Sequence, residues 1–267
     1  MVPDLSTLRA AIDRLDAGVA SILARRARVA RRVALRKRLL GDAPRDARRE
    51  QEVRDHYAQS LTVAGWSDAS VDDLLGTMLH ASRDLQARLR VAIQGGPGSW
   101  SEISCLANIP DVDVLHCETV RDVEAACRSS AAVAAWLPRW NSTLGAIHDT
   151  DDAASAMECW LEAPHPIAHA LVAPAGLKLE DVRVVRGHPR ALEQCAKTLT
   201  WLVPRARLEG TVDGAHSART LAADGDAAVL GPGSLAARSD RCVLAENVSD
   251  EAGNTTWFHL LVPKEAY

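Results

Sequence analysis

The sequence predicts an α + α/β protein, with a three-helix domain over residues 1–90 and an α/β domain over residues 91–267. Three observations carry this reading. Turn chemistry is scarce early in the chain, where apolar residues recur at helical spacing. At Val91 the composition changes, and the apolar run Val91–Gln94 leads into Gly95-Gly96-Pro97-Gly98-Ser99. Beyond that loop, short strand-like and helix-like segments alternate, as in α/β layers around a largely parallel sheet. A chain of 267 residues also suits two domains, taking about 100–200 residues for each.

Leu8, Leu15, Ile22 and Val29 recur at heptad spacing, with Ile12, Val19 and Leu23 between them. That spacing predicts one amphipathic helix from about Ser6 to Leu39. At about 1.5 Å per residue it is some 50 Å long, too long to bury its apolar face within one small domain. It is therefore expected to pack against a second copy of itself, as a homodimer. Gly41–Pro44 breaks the helix, and Asp46 can cap a second one running to about Val63. Gly65–Ser70 forms the next turn, and a third helix is expected from Val71 to Leu89. Arg90 then leads straight from helix into strand.

In the second domain the segments are Val112–His116, Val120–Ser129, Val133–Leu137, Asp151–Glu162, Ile167–Val172, Val182–Val185, Pro189–Thr200, Arg219–Ala223, Ala227–Leu230 and Thr256–Val262. The alternation makes Asp151–Glu162 a helix-like segment. A net charge of −4 argues against nucleic acid or an anionic membrane as the main partner. No apolar run reaches the roughly 18 residues of a membrane-spanning helix, and the N-terminus lacks a signal-peptide layout. The six cysteines (Cys105, Cys117, Cys127, Cys159, Cys195, Cys242) show no metal-ligand spacing. They read as small core residues in a reducing cytoplasm.

The pattern Leu8-Arg9-x-x-Ile12-Asp13-x-Leu15-Asp16, then Arg26, Lys37, Asp46-x-x-Arg49-Glu50 and Ser82-x-x-x-Gln86 resembles the all-helical chorismate mutases. The resemblance covers the whole first domain and implies conversion of chorismate to prephenate. That reaction is a unimolecular rearrangement needing no nucleophile and no proton transfer. A site assists it by holding the folded conformer and placing donors where negative charge grows on the ether oxygen. By resemblance, Arg26 and Arg9 of the partner chain clamp the substrate carboxylates, and Lys37 and Gln86 donate to the ether oxygen. Asp46, Glu50 and Ser82 orient the ring hydroxyl, supported by Arg49. The spacing agrees. Arg26 and Lys37 lie close to three turns apart and share a face, and Ser82 and Gln86 are adjacent as i and i+4. Arg9, about five turns from Arg26, can join its site only from another subunit. Lys37 stands out because the chain has only four lysines.

The second domain resembles the prephenate dehydratases, a bilobal α/β unit like the type II periplasmic binding proteins. The matching segments are Gln94–Glu102, Pro138-Arg139-Trp140-Asn141-Ser142-Thr143-Leu144-Gly145, Pro166-Ile167-Ala168-His169, Gly187–Cys195, and Glu246-Asn247-Val248-Ser249-Asp250 through Asn254-Thr255-Thr256-Trp257-Phe258. Together with the first domain this resembles the bifunctional enzyme of phenylalanine biosynthesis. The resemblance implies Thr256 as a catalytic residue and a substrate pocket involving Asn141, Ser142, His188, Trp140, Trp257 and Phe258. His169 and His188 are more easily read as structural hydrogen-bonders than as catalysts.

Three departures stand out. Trp140 replaces the family's glutamate, Trp257 replaces its arginine, and Gly214-Ala215 followed by His216-Ser217 stand where Ser-Thr is expected. Tryptophans in the pocket would favour release of neutral carbon dioxide, while loss of an acid would hinder expulsion of hydroxide. The leading expectation is decarboxylation with loss of water, giving an arylpyruvate. The alternatives are a non-aromatising prephenate decarboxylase of secondary metabolism, a dehydratase of ring-modified substrate, and a non-catalytic binding domain. No metal or other cofactor is implied. The chain ends soon after Phe258, so no ACT regulatory domain and no phenylalanine feedback through one are expected.

Overall fold

The computed structural model describes residues 4–147, 156–211, 225–237 and 240–264. Contacts divide the chain into two compact units, Met1–Leu89 with Ile109–Asp113, and Arg90–Asn108 with Val114–Tyr267.

The first unit holds three helices, α1 (Leu5–Leu40), α2 (Ala47–Val63) and α3 (Asp68–Ala87). Each starts on a side chain that accepts an otherwise orphaned N–H. Asp4 takes the Thr7 N–H, Asp46 that of Arg49 and Ser67 that of Ser70. Helix α1 stops at Gly41, whose φ of 70° is a left-handed turn that glycine adopts without strain. Its buried residues, Arg32, Ala34 and Leu35, lie near its C-terminal end, where it meets Val71, Leu75 and Leu79 of α3. Further towards the N-terminus the apolar face is bare, with Leu15 69% and Ile22 68% exposed.

The second unit is built on two mixed sheets. The first uses β1 (Leu89–Gln94), β2 (Val112–Cys117), β3 (Ala134–Asn141), β4 (Gly145–Ala146), β5 (Met157–Pro166) and β11 (Thr255–Pro263). Its order is β2-β1-β3-β11-β5, with β4 on β3. Helices α4 (Trp100–Asn108) and α5 (Val120–Arg128) belong to this lobe. The second sheet has the order β10-β6-β9-β7-β8. Its strands are β6 (His169–Pro174), β7 (Val184–Gly187), β8 (Arg207–Gly210), β9 (Ala227–Pro232) and β10 (Arg241–Ala245). Helices α6 (Pro189–Gln194) and α7 (Ala196–Leu202) accompany it. Leu171, Val185, Leu192, Leu199 and Leu230 are buried together in its core.

Two expectations need correcting. The sheets are not largely parallel: β1–β3, β7–β8 and β7–β9 are parallel, but β11 runs antiparallel to both β3 and β5, and β6 antiparallel to β9 and β10. The cause is topological, because the chain returns from the second lobe and inserts its last strand into the first sheet. Met157–Glu162 is strand and not helix-like. It lies at the sheet edge and pairs along the whole of β11, so tertiary pairing overrides local propensity. Arg219–Ala223 and Gly214-Ala215-His216-Ser217 lie outside the described residues. Of the cysteines, Cys105, Cys127 and Cys195 are buried, Cys117 and Cys242 half-buried and Cys159 exposed, all as free thiols.

Candidate active sites

In the first unit the Arg26 guanidinium donates to the Ser82 hydroxyl, joining α1 to α3. Ser82 is buried and donates in turn to the Met78 carbonyl at 2.8 Å. One turn on, Arg38 donates to the Gln86 and Ala87 carbonyls at 3.0 and 3.3 Å. Lys37 reaches the Pro44 carbonyl at 3.1 Å, beside the start of α2. There Asp46 is the helix cap, and Arg49 pairs with Glu52 at 3.0 Å. Glu50 is held by both arms of Arg83, at 3.0 Å each, and more loosely by Arg45 at 3.4 Å. The Arg83 hydrogen bond pulls the Glu50 pKa down, so it stays ionised. Arg9 is exposed and lies about 25 Å along α1 from Arg26. Arg38 and Arg83 escaped the sequence pattern. Neither is distinguishable by type or spacing from the other arginines of these helices.

In the second unit a cavity of about 1230 Å³ lies against both sheets. The Gly95–Ser99 loop forms one wall, and Asn141, His169, His188, Gln194, Thr256 and Phe258 also face it. Its apolar surface includes Pro138, Leu144, Ile147 and Ile167. Behind Phe258 the Trp136 ring stacks in parallel at 5.8 Å, its N–H donating to Ser104 at 3.1 Å.

The polar centre is a network whose donors and acceptors can be assigned one from another. The Asn141 side-chain oxygen accepts the Thr143 and Leu144 backbone N–H groups at 3.0 and 3.1 Å, which fixes its amide orientation. That oxygen also accepts from the Gln194 amide at 3.2 Å. The Asn141 amide must therefore donate outward, to the Asn254 oxygen at 2.8 Å and the Thr256 hydroxyl oxygen at 2.9 Å. The Asn254 amide and His169 Nε2 then both approach the Gln194 oxygen at 3.2 Å. His169 consequently carries its proton on Nε2. Burial pushes its pKa down, against the opposing effect of Gln194, and keeps the ring neutral. Thr256 Oγ1 accepts from Asn141, so its own proton is free for a ligand. Asn141, Asn254, His169 and Thr256 are all buried, and amides bonded to one another there hold each other's orientation. Gln194, Asn254 and His169 were in the recognised motifs but were not singled out as site residues; only the fold shows that they meet.

Other expected pocket residues lie elsewhere. Ser142 is exposed and clips β3 to β11, accepting the Thr255 N–H at 2.9 Å and donating to the Gly253 carbonyl at 3.4 Å. Trp140 and Trp257 face each other across β3 and β11, rings edge-to-face at 4.8 Å. None of these three lines the cavity. Successive strand residues point to opposite faces, so with Asn141, Thr256 and Phe258 turned inward, Trp140 and Trp257 are turned out. His188 does line the cavity, as the cap of α6, its Nδ1 accepting the Arg190 N–H at 3.3 Å. Burial and then the Arg190 charge push its pKa down.

The model of the prephenate dehydratase family matches residues 91–266. The chain belongs to that family. Ahead of this stretch, residues 8–87 match the model of the type II chorismate mutases, so a mutase-type domain precedes the dehydratase-type domain in one chain. Among curated relatives it is similar to arogenate dehydratase/prephenate dehydratase 1 of Arabidopsis thaliana, 31% identical over 193 residues covering 70% of this chain and 48% of that one. The chain thus spans about half the length of the curated relatives it matches. Among solved structures it is similar to the prephenate dehydratase of Arthrobacter aurescens in complex with L-Phe, at 27% identity and a TM-score of 0.61, covering 67% of this chain and 61% of that one. A comparable likeness, 25% identity and a TM-score of 0.58 over 67% of this chain and 65% of that one, is to GqqA, described as a novel type of quorum-quenching acylase.

Proposed function

We propose that the chain converts chorismate to prephenate in its helical unit and dehydrates and decarboxylates prephenate, or its amino counterpart arogenate, in its α/β unit. The position of the Trp140–Trp257 pair carries the choice of second reaction. Two of the three departures, Trp140 and Trp257, lie off the cavity and alter the outer face of the sheet, while the described lining keeps Asn141 and Thr256 of the dehydratase motifs; the third, Gly214-Ala215, lies outside the described residues. The retained lining counts against a decarboxylase that stops before the aromatic ring.

The cavity suits the chemistry. The carbon–carbon bond to the ring carboxylate breaks, its electron pair forms the third ring double bond, and the ring hydroxyl departs, taking up a proton as water. An apolar wall of Pro138, Ile167 and Phe258 favours neutral carbon dioxide over a carboxylate. The free Thr256 proton, held in place by Asn141, donates to the departing oxygen. His188 and Phe258 bound the ring. In the helical unit, Arg26 and Arg9 of a second copy hold the carboxylates, and Lys37 and Gln86 meet the ether oxygen. Asp46, Arg49, Glu50 and Ser82 surround the ring hydroxyl. The bare apolar face of α1, from Leu8 to Leu23, is covered in this reading by a homodimer partner. No helix among the described residues is long and apolar enough to cross a membrane, and a cytoplasmic enzyme needing no cofactor fits the proposed reactions.

A continuous assay tests both halves: chorismate is supplied, and its loss and the appearance of arylpyruvate are followed separately. Consumption of both chorismate and prephenate supports the reading. Prephenate that accumulates unchanged, with arogenate also left intact, removes the second activity.

A further inference from the structure

One built feature of the cavity is not used by the network around Thr256. His116, on β2, lines the cavity. Its Nε2 meets a carboxylate oxygen of Glu102 on α4 at 2.9 Å, and both side chains are mostly shielded, at 30% and 19% exposure. The other Glu102 oxygen accepts the Gly98 N–H of the glycine-rich loop. Glu102 is thereby fixed by the backbone, and it in turn fixes the imidazole. A carboxylate can only accept, so Nε2 carries a proton and the ring presents Nδ1 as its unengaged atom. An anion can bind at Nδ1 only if that nitrogen also carries a proton, so the ring would hold a substrate carboxylate as an imidazolium bridging it to Glu102.

The sheet order places this group relative to Thr256. Strands β1 and β3 lie between β2 and β11, so about three strand spacings, roughly 14 Å, separate the two positions laterally. A cyclohexadienol ring with its three-carbon acid arm is about 8 Å long by ordinary bond lengths. With a hydrogen bond of about 2.8 Å at each end and the reach of the two side chains, one substrate spans that gap. His116 is too far away to serve the oxygen that Thr256 serves.

We infer that His116, positioned by Glu102, binds the carboxylate of the substrate's side arm while Thr256 engages the ring hydroxyl at the other end. This rests on the dehydratase reading for the identity of the ligand.

The test is calorimetric titration of the full chain with phenylpyruvate and phenylalanine, which carry the arm carboxylate, and phenylacetone, which has a similar arm without it. H116Q is expected to weaken both acids about 10- to 100-fold, the worth of one charge-assisted hydrogen bond, and to leave phenylacetone within about 2-fold. In turnover it raises KM for prephenate while kcat holds, and H116R recovers part of the affinity. A thermal melt of the same preparations reports that the α/β unit is folded. Equal weakening of all three ligands, unchanged binding of the acids, or loss of acid binding in R190Q instead of H116Q overturns the assignment. Acid binding through His116 without turnover of prephenate or arogenate removes the dehydratase reading alone. A wild-type chain that binds neither acid removes both.

Discussion

Trp140 and Trp257 sit opposite one another on neighbouring antiparallel strands, rings 4.8 Å apart and inclined at 71°, on the face that turns away from the cavity. The dehydratase pattern has glutamate and arginine at these positions. In this register those two residues would also face each other, as a cross-strand ion pair. We read the two departures as one paired change on the outer face of the sheet, not as the loss of two catalytic groups.

If so, W140E and W257R should each destabilise the α/β unit, because a lone charge then lies against the remaining indole. The double variant should recover most of the loss. The aromatic coupling is worth about 0.5–1.5 kcal/mol, so a thermal-melt double-mutant cycle is the measurement. All three variants should keep kcat/KM for prephenate within about 3-fold of wild type. A double variant less stable than the sum of the singles, or a change of product in any of them, would sink this account of the pair.

Thr256 carries the chemistry in this reading. T256V keeps the shape and removes the proton, so kcat should fall at least about 100-fold with little change in KM, while T256S retains much of the rate. N141A should do comparable damage, because Asn141 orients Thr256 and organises the network. Steady-state kinetics gives these outcomes, and a thermal melt of the same variants separates them from misfolding of the α/β unit.

Much of the fold was legible in the chain and some was not, for physical reasons. The heptad of Leu8, Leu15 and Ile22 could serve only a long helix, and cap chemistry marks its end at Gly41 and the start of the next helix at Asp46. Met157–Pro166 carries Glu158, Glu162 and two prolines, and only pairing with β11 makes it a strand. Asn141 and Thr256 were recognisable as polar groups within motifs. The outward turn of Trp140 and Trp257 follows from strand parity once Asn141 and Thr256 face inward, and residue type alone does not show it. His116 and Glu102 meet from a strand and a helix, a contact that spacing does not reveal.

Acid should loosen the α/β unit before neutral or mildly alkaline solution does. Burial holds the pKa values of His165, His169 and His188 below the ordinary value near 6.5. A depressed histidine contributes stability above its unfolded pKa and loses it as pH falls through 6.5, because the unfolded chain takes up protons first. Melting temperature measured from pH 8 to pH 5 should fall on the acid side, and H169Q should reduce that slope. A melting temperature that rises on acidification would contradict the neutral state assigned to these rings.

Under the proposed dimer, in which the exposed stripe on α1 is covered by a second copy, mutase activity depends on that copy. L15D with I22D should yield a monomer by sedimentation and lower mutase turnover at least about 100-fold, since Arg9 of the other copy is then lost. Dehydratase turnover per chain should persist. A monomer with full mutase activity would show that the helical site is complete within one chain.

Mass spectrometry of the product that wild-type chain forms from prephenate decides whether dehydration survives the Trp140–Trp257 exchange, which lies off the cavity. Loss of both carbon dioxide and water, giving phenylpyruvate, is the expected result. Loss of carbon dioxide alone, leaving the ring hydroxyl in place, would contradict it and would mean that the Trp140–Trp257 exchange marks a change of reaction after all.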